Sequence, residues 1–140
     1  MFRKILVAYE GSDRSKRALE LAVDIAANDG ELYLVSIIEN LSRSAGETID
    51  EVDEVLEDAR RHFEFLQEAA EARAARRDIR ITRHVLPGHA AETIVHFAEQ
   101  ERVDLIVIGG VGRSPILRRV AGGTGSQIVY HAPCSVLVVR

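Results

Sequence analysis

The chain has 140 residues, 46% hydrophobic and 29% charged, which suits one globular domain with a sizeable core. Its formal net charge of −4 argues against a dedicated nucleic-acid binder, which needs a basic face. No apolar run approaches the length of a membrane span, there is no signal-peptide layout, and the single Cys134 cannot form an intrachain disulfide. Together these lead us to expect a cytoplasmic protein without a membrane or nucleic-acid partner.

"KILVAY" (4–9) reads as a short buried strand, and Ser12 or Asp13 of the following "GSDRS" can cap a helix. Ala18, Leu21, Ala22, Ile25 and Ala26 recur at helical spacing until "NDG" (28–30) stops the helix. "LYLVSII" (32–38) is a second buried strand, followed by a polar loop. Ile49, Val52, Leu56, Ala59, Phe63, Leu66 and Ala70 step by three and four, which predicts a long amphipathic helix. Its "EVDEV" reads as a wet face, and the basic "RAARR" (73–77) as a solvated run.

"IRITRHVL" (79–86) alternates, with Ile79, Ile81 and Val85 inward, and predicts a more exposed strand that "PGH" turns. Ala91, Ile94, Phe97 and Ala98 mark a third helix. "DLIVI" (104–108) has no polar face, so it is a strand buried on both sides. A short helix over 123–131, ended before Pro133, and a last strand over 135–139 complete the chain. Alternating strands and helices predict an α/β fold, a parallel sheet with helices on both faces. Residues 1–140 form one unit on this reading, with no second core, linker or repeat.

The unusual stretch is "GGVGRSPILRRVAGGTGS" (109–126), with six glycines in two clusters. Gly109, Gly110 and Gly112 follow the fourth strand, and Gly122, Gly123 and Gly125 open the last helix. Ligands of open parallel sheets bind beyond the carboxyl ends of the strands. Glycines let backbone approach phosphate oxygens, and a helix N-terminus offers free N–H groups. Arg113, Arg118 and Arg119 lie between the clusters and can reach a phosphate. A phosphate cradle and a glycine-rich surface loop are both open on these residues alone. No G-x-x-x-x-G-K-[ST] motif exists, and Pro115 interrupts a G-x-G-x-x-G pattern. The five histidines are scattered without a zinc-like cluster, Cys134 reads as a small core residue, and His131 suits a helix C-terminus. Nothing combines a nucleophile with a base, so we expect a binding protein rather than an efficient enzyme.

The spacing Gly109-x2-Gly112-x9-Gly122 resembles the nucleotide-binding signature of the universal stress protein family, G-x2-G-x9-G-[S/T]. "ILVAYEGSDRSKRALELA", "GHAAETIVHFAEQERVD", "DLIVIGG" and "HAPCSVLVV" are similar to that family's corresponding segments, and only the 40–75 region falls outside the resemblance. The resemblance implies a five-stranded sheet in the order 3-2-1-4-5. It also implies an adenine nucleotide, ATP or AMP or cyclic AMP, with or without magnesium. The adenine would lie near Ala8 and Tyr9 with Ile37 and Ile108 beside it, Glu10 would stand at the family's acidic position, and Gly109, Gly110, Gly112 and Gly122 through Gly125, including Thr124, would wrap the phosphates. Arg113 would stand close by. A homodimer through strand 135–139, a stress-response sensor role and an unidentified protein partner are further implications. A nucleotide-free dimeric interaction module is the other reading. Two positions depart from the family: Glu10 replaces its usual Asp, and Gly123 and Gly125 stand where it carries hydroxyls.

Overall fold

The computed structural model describes residues 2–39, 49–110 and 123–140. Five strands and four helices alternate among them: β1 (Phe2–Ala8), α1 (Asp13–Ile25), β2 (Ala26–Glu39), α2 (Ile49–Ala74), β3 (Arg80–Gly88), α3 (Ala90–Gln100), β4 (Leu105–Gly109), α4 (Thr124–His131) and β5 (Ser135–Val139). All neighbouring strands are parallel, in the order β3-β2-β1-β4-β5.

The continuous apolar runs in β1, β2 and β4 follow from this arrangement, because both faces of each strand are covered. Ile5, Val7, Leu34 and Val107 point to the face where Ala18 and Ala22 of α1 and Ala70 of α2 pack. Leu6, Val35, Ile106 and Ile108 point to the other face, against Ile94 and Ala98 of α3 and Ile128 of α4. The alternating pattern of β3 fits its place at one edge of the sheet; β5 forms the other.

Two expectations need correction at the end of α1. The helix stops at Ile25 rather than at "NDG", and Ala26 is already extended at φ −67 and ψ 141. The "NDG" residues lie within β2 instead, where Asp29 takes a left-handed φ of 60 and the register with β1 jumps from Phe2↔Ala26 to Lys4↔Glu31. The buried face of α1 is Ser15, Ala18, Leu19, Ala22 and Val23, so Leu21 and Ile25 are only half-buried. The "PGH" segment likewise does not turn the chain at once: Pro87 and Gly88 still pair with Ile38 and Glu39.

Arg76 explains the early stop, and it is not the solvated residue its basic run suggests. Its guanidinium donates to the carbonyl of Val23 at 2.7 Å and that of Ala26 at 3.5 Å. These carbonyls lose their helical partners where α1 ends, and the guanidinium replaces them. Asp78 holds Arg76 in a two-pronged pair at 2.6 and 2.7 Å, and its own carbonyl accepts from the Asp29 N–H at 2.9 Å. One side-chain pair therefore ties the end of α1, the irregular start of β2 and the entry to β3.

The hydrogen bond from Arg76 holds the Asp78 carboxyl below its ordinary value of 3.8. A carboxyl depressed in the folded state stabilises fully above the unfolded pKa, and that contribution fades as pH falls through the folded one. Asp78→Asn should therefore unfold at a lower temperature than the wild type at neutral pH. The gap should narrow from about pH 4 downward. A gap independent of pH in thermal melts would contradict the clamp.

Candidate functional site

The carboxyl ends of β1, β2 and β4 open into a cleft of about 520 Å³, within the range of small-molecule sites. Beyond β1 the chain stays tied to the sheet. The Tyr9 N–H donates to the Val35 carbonyl at 2.9 Å, and the Ser36 hydroxyl donates to the Tyr9 carbonyl at 2.6 Å. Gln67 of α2, itself buried, donates through Nε2 to Ser36 Oγ and to the His84 carbonyl, each at 2.9 Å. This buried network fixes the end of β1 against β2, β3 and α2.

Gly11 then turns the chain with a left-handed φ of 89, a conformation that favours glycine. Ser12 is the N-cap of α1: its Oγ accepts from the Ser15 N–H at 3.2 Å, and its hydroxyl donates to Glu10 Oε1. The cap thereby holds the exposed Glu10 carboxylate, which lines the cleft. Burial pushes the Tyr9 phenol above its ordinary pKa, opposed by Arg73 and reinforced by Glu10. Tyr9 is therefore a neutral phenol at physiological pH.

At the end of β4, Gly109 and Gly110 line the cleft as expected, yet packing requires them as well. A Cβ at Gly109 would stand 2.9 Å from the carbonyl carbon and Cβ of Arg14 and 3.0 Å from the Ser15 nitrogen. The strand end thus meets the first turn of α1 backbone to backbone. Arg14 Nη1 donates to the Gly110 carbonyl at 3.0 Å, and the Gly110 N–H donates to the Val139 carbonyl.

Helix α4 completes the site. Its N-cap is Gly123, at φ 53 and ψ 145, and no side chain among the described residues caps it. Such a backbone is strained for any residue with a side chain, and glycine adopts it freely. Thr124 and Gly125, the first two helical residues, line the cleft, where their N–H groups lack intrahelical acceptors. Gly112, Arg113 and Gly122, with Arg118 and Arg119, lie outside the described residues.

The structure therefore brings together Ala8, Tyr9, Glu10, Ile37 and Ile108 with Gly109, Gly110, Thr124 and Gly125. Gly123 sits one residue outside the lining, as the cap. Sequence reading missed Val35, Ile94 and Ile128, which look like ordinary core, and also Glu39, Phe63 and Ala90. Phe63 arrives from a helix far away in the chain, and its helical spacing marks only a half-buried face. Among the described residues the cleft is lined by no His, Cys, Ser or Lys; its polar side chains are Tyr9, Glu10, Glu39 and Thr124. No group of three His, Cys, Asp or Glu among them is placed to hold a metal ion, and no helix is long and apolar enough to cross a membrane. Cys134 packs partly buried against the α3/α4 face, and burial raises its thiol pKa, with Asp104 adding to the effect. His131 falls in the last turn of α4, where the helix dipole favours a cation.

The cleft thus joins an aliphatic floor to the N-terminus of α4, with the Glu10 and Glu39 carboxylates also in its lining. It suits a ligand with an apolar body and an anionic group. Comparison with known proteins agrees with the architecture. The universal stress protein family model matches residues 1–140. A universal stress protein of Thermus aquaticus is 35% identical over 142 residues, covering all of both chains. Among solved structures, UspA from Lactobacillus plantarum superposes with a TM-score of 0.85 at 29% identity, over 99% of this chain and 98% of that one. A universal stress protein in complex with cAMP superposes with a TM-score of 0.68 at 25% identity, over 99% and 97%. With a match along its full length and the sheet order those segments imply, this chain belongs to the universal stress protein family.

Proposed function

We propose that this chain binds an adenine nucleotide in the β1–β4 cleft and acts in the cytoplasm as a nucleotide-dependent sensor or regulator of stress response rather than as an enzyme. One observation carries the reading: the N-terminus of α4, uncapped by any described side chain, opens onto a cleft lined by Ala8, Ile37 and Ile108. The free N–H groups suit a phosphate, and the aliphatic floor suits a base. The cAMP complex of a similar protein supports adenine as the base. ATP, ADP, AMP and cyclic AMP are all candidates, and magnesium would come with the longer phosphates. Calorimetry with each nucleotide, with and without magnesium, tests this. Binding heat is expected for at least one, and no heat from any at millimolar concentration would overturn the reading.

The second reading is a nucleotide-free interaction module. The packing of Gly109 and Gly110 favours it, since those glycines are needed whether or not a ligand binds. Small molecules released from purified protein separate the two readings by mass spectrometry.

We also propose a homodimer through β5. The strand lies at the sheet edge, Val138 is 38% exposed, and Val129 and Tyr130 of the preceding helix are exposed too. An apolar edge invites pairing, and a two-fold axis lets the strand pair with itself. Loop residues 113–121, which could instead cover the edge, lie outside the described residues. Leu137 packs against the core, so Val138→Lys is the clean variant. It should turn dimers into monomers by light scattering, and a monomeric wild type at micromolar concentration would end the proposal.

A further inference from the structure

We infer that Phe63 of α2 is the stacking platform for the base, and so determines specificity for ligands that carry one; this rests on the nucleotide reading above. Phe63 is the cleft residue that α2 contributes, in company with Ile37 and Glu39 from the end of β2. The glycines and the α4 N-terminus lie on the β4 side. In the order β2-β1-β4 those two ends are two strand spacings apart, about 10 Å. That span suits a nucleoside monophosphate laid across the carboxyl ends of the strands, with its anion on α4 and its base toward Phe63.

The helix turn that carries the ring is also held in place. Arg60, three residues before it, donates through Nη1 to the Val85 carbonyl at 3.0 Å. Gln67, four residues after it, is the buried side chain that donates to the Leu34, Ser36 and His84 oxygens. Residues three and four apart share one helix face. Phe63 is therefore bracketed on its own face by two side chains that fasten α2 to β2 and β3. A π surface carried on backbone fixed in this way before binding needs less ordering when a base stacks on it. Stacking on an aromatic ring tolerates any base, because every base has a π face.

The test compares AMP with ribose 5-phosphate, which keeps the sugar and the anion but has no base. Phe63→Ala should weaken AMP about tenfold or more while leaving ribose 5-phosphate unchanged. Phe63→Tyr, which keeps the ring, should restore AMP affinity. Should Phe63→Ala fail to fold by circular dichroism, Phe63→Leu retains the apolar volume without the π face and carries the same comparison. If the variant binds AMP as the wild type does, the platform is elsewhere and the inference fails alone. Equal loss of both ligands, without rescue by Tyr, shows a collapsed cleft and also overturns it. A wild type that binds neither ligand overturns the nucleotide reading, and this inference with it.

Discussion

Gly125→Asp is expected to abolish binding of a phosphate-bearing ligand while leaving the fold as stable as before, or more so. Gly125 is the second residue of α4 and lines the cleft. An acidic side chain in a first helical turn interacts favourably with the helix dipole, by about 0.3–1 kcal/mol. Removing a helical glycine adds roughly 0.5–1 kcal/mol. The same carboxylate would occupy the N–H groups that a phosphate needs and would repel its charge. Two like charges about 4 Å apart near a protein surface repel by about 4 kcal/mol before salt screening. A loss of about a hundredfold in AMP affinity is therefore expected after screening. Gly125→Asn, nearly the same shape without the charge, should lose much less. Calorimetry and thermal melts read the two effects separately. AMP affinity undiminished in a folded Gly125→Asp protein would remove the anion from α4.

Gly109→Ala should do the reverse, damaging the fold before it touches any ligand. The added Cβ would press on the carbonyl carbon of Arg14 and the nitrogen of Ser15, both backbone atoms of the first turn of α1. Neither can swing aside as a side-chain tip can. Either β4 or α1 must shift, and overpacking of this kind costs about 1–3 kcal/mol. Ligand-free protein should show the loss as a lower denaturant midpoint with an unchanged slope. A midpoint equal to that of the wild type would mean that the strand and helix ends approach less closely. The two glycines serve different ends on the proposed reading: Gly109 admits a helix, and Gly125 is proposed to leave room for an anion.

Much of the architecture was legible from periodicity. The apolar runs at 4–9, 32–38 and 104–108 have no polar face, and strands covered on both sides are what the structure places there. The step of three and four from Ile49 to Ala70 foretold α2, and the segment 135–139 coincides with β5. Local capping chemistry was legible too, since Ser12 does cap α1. The end of α1 was not. "NDG" carries the usual stop signal, but the termination comes earlier because Arg76, some fifty residues further on, meets the carbonyls of Val23 and Ala26.

The alternation of strands and helices and the placing of glycines after β4 and before α4 can be read along the chain, because periodicity and backbone freedom are properties of neighbouring residues. Its resemblance to a known family supplied the order of the strands and the residues to look for at their ends. How those residues meet depends on packing between distant segments. The tertiary structure set Gly109 against the backbone of α1, and it gave Gly123 a positive φ that favours glycine. It also carried Phe63 from the middle of α2 to the mouth of the cleft, pinned between Arg60 and Gln67. These are contacts between segments distant in the chain. No local pattern encodes them, because each depends on where the packed sheet brings the two partners together.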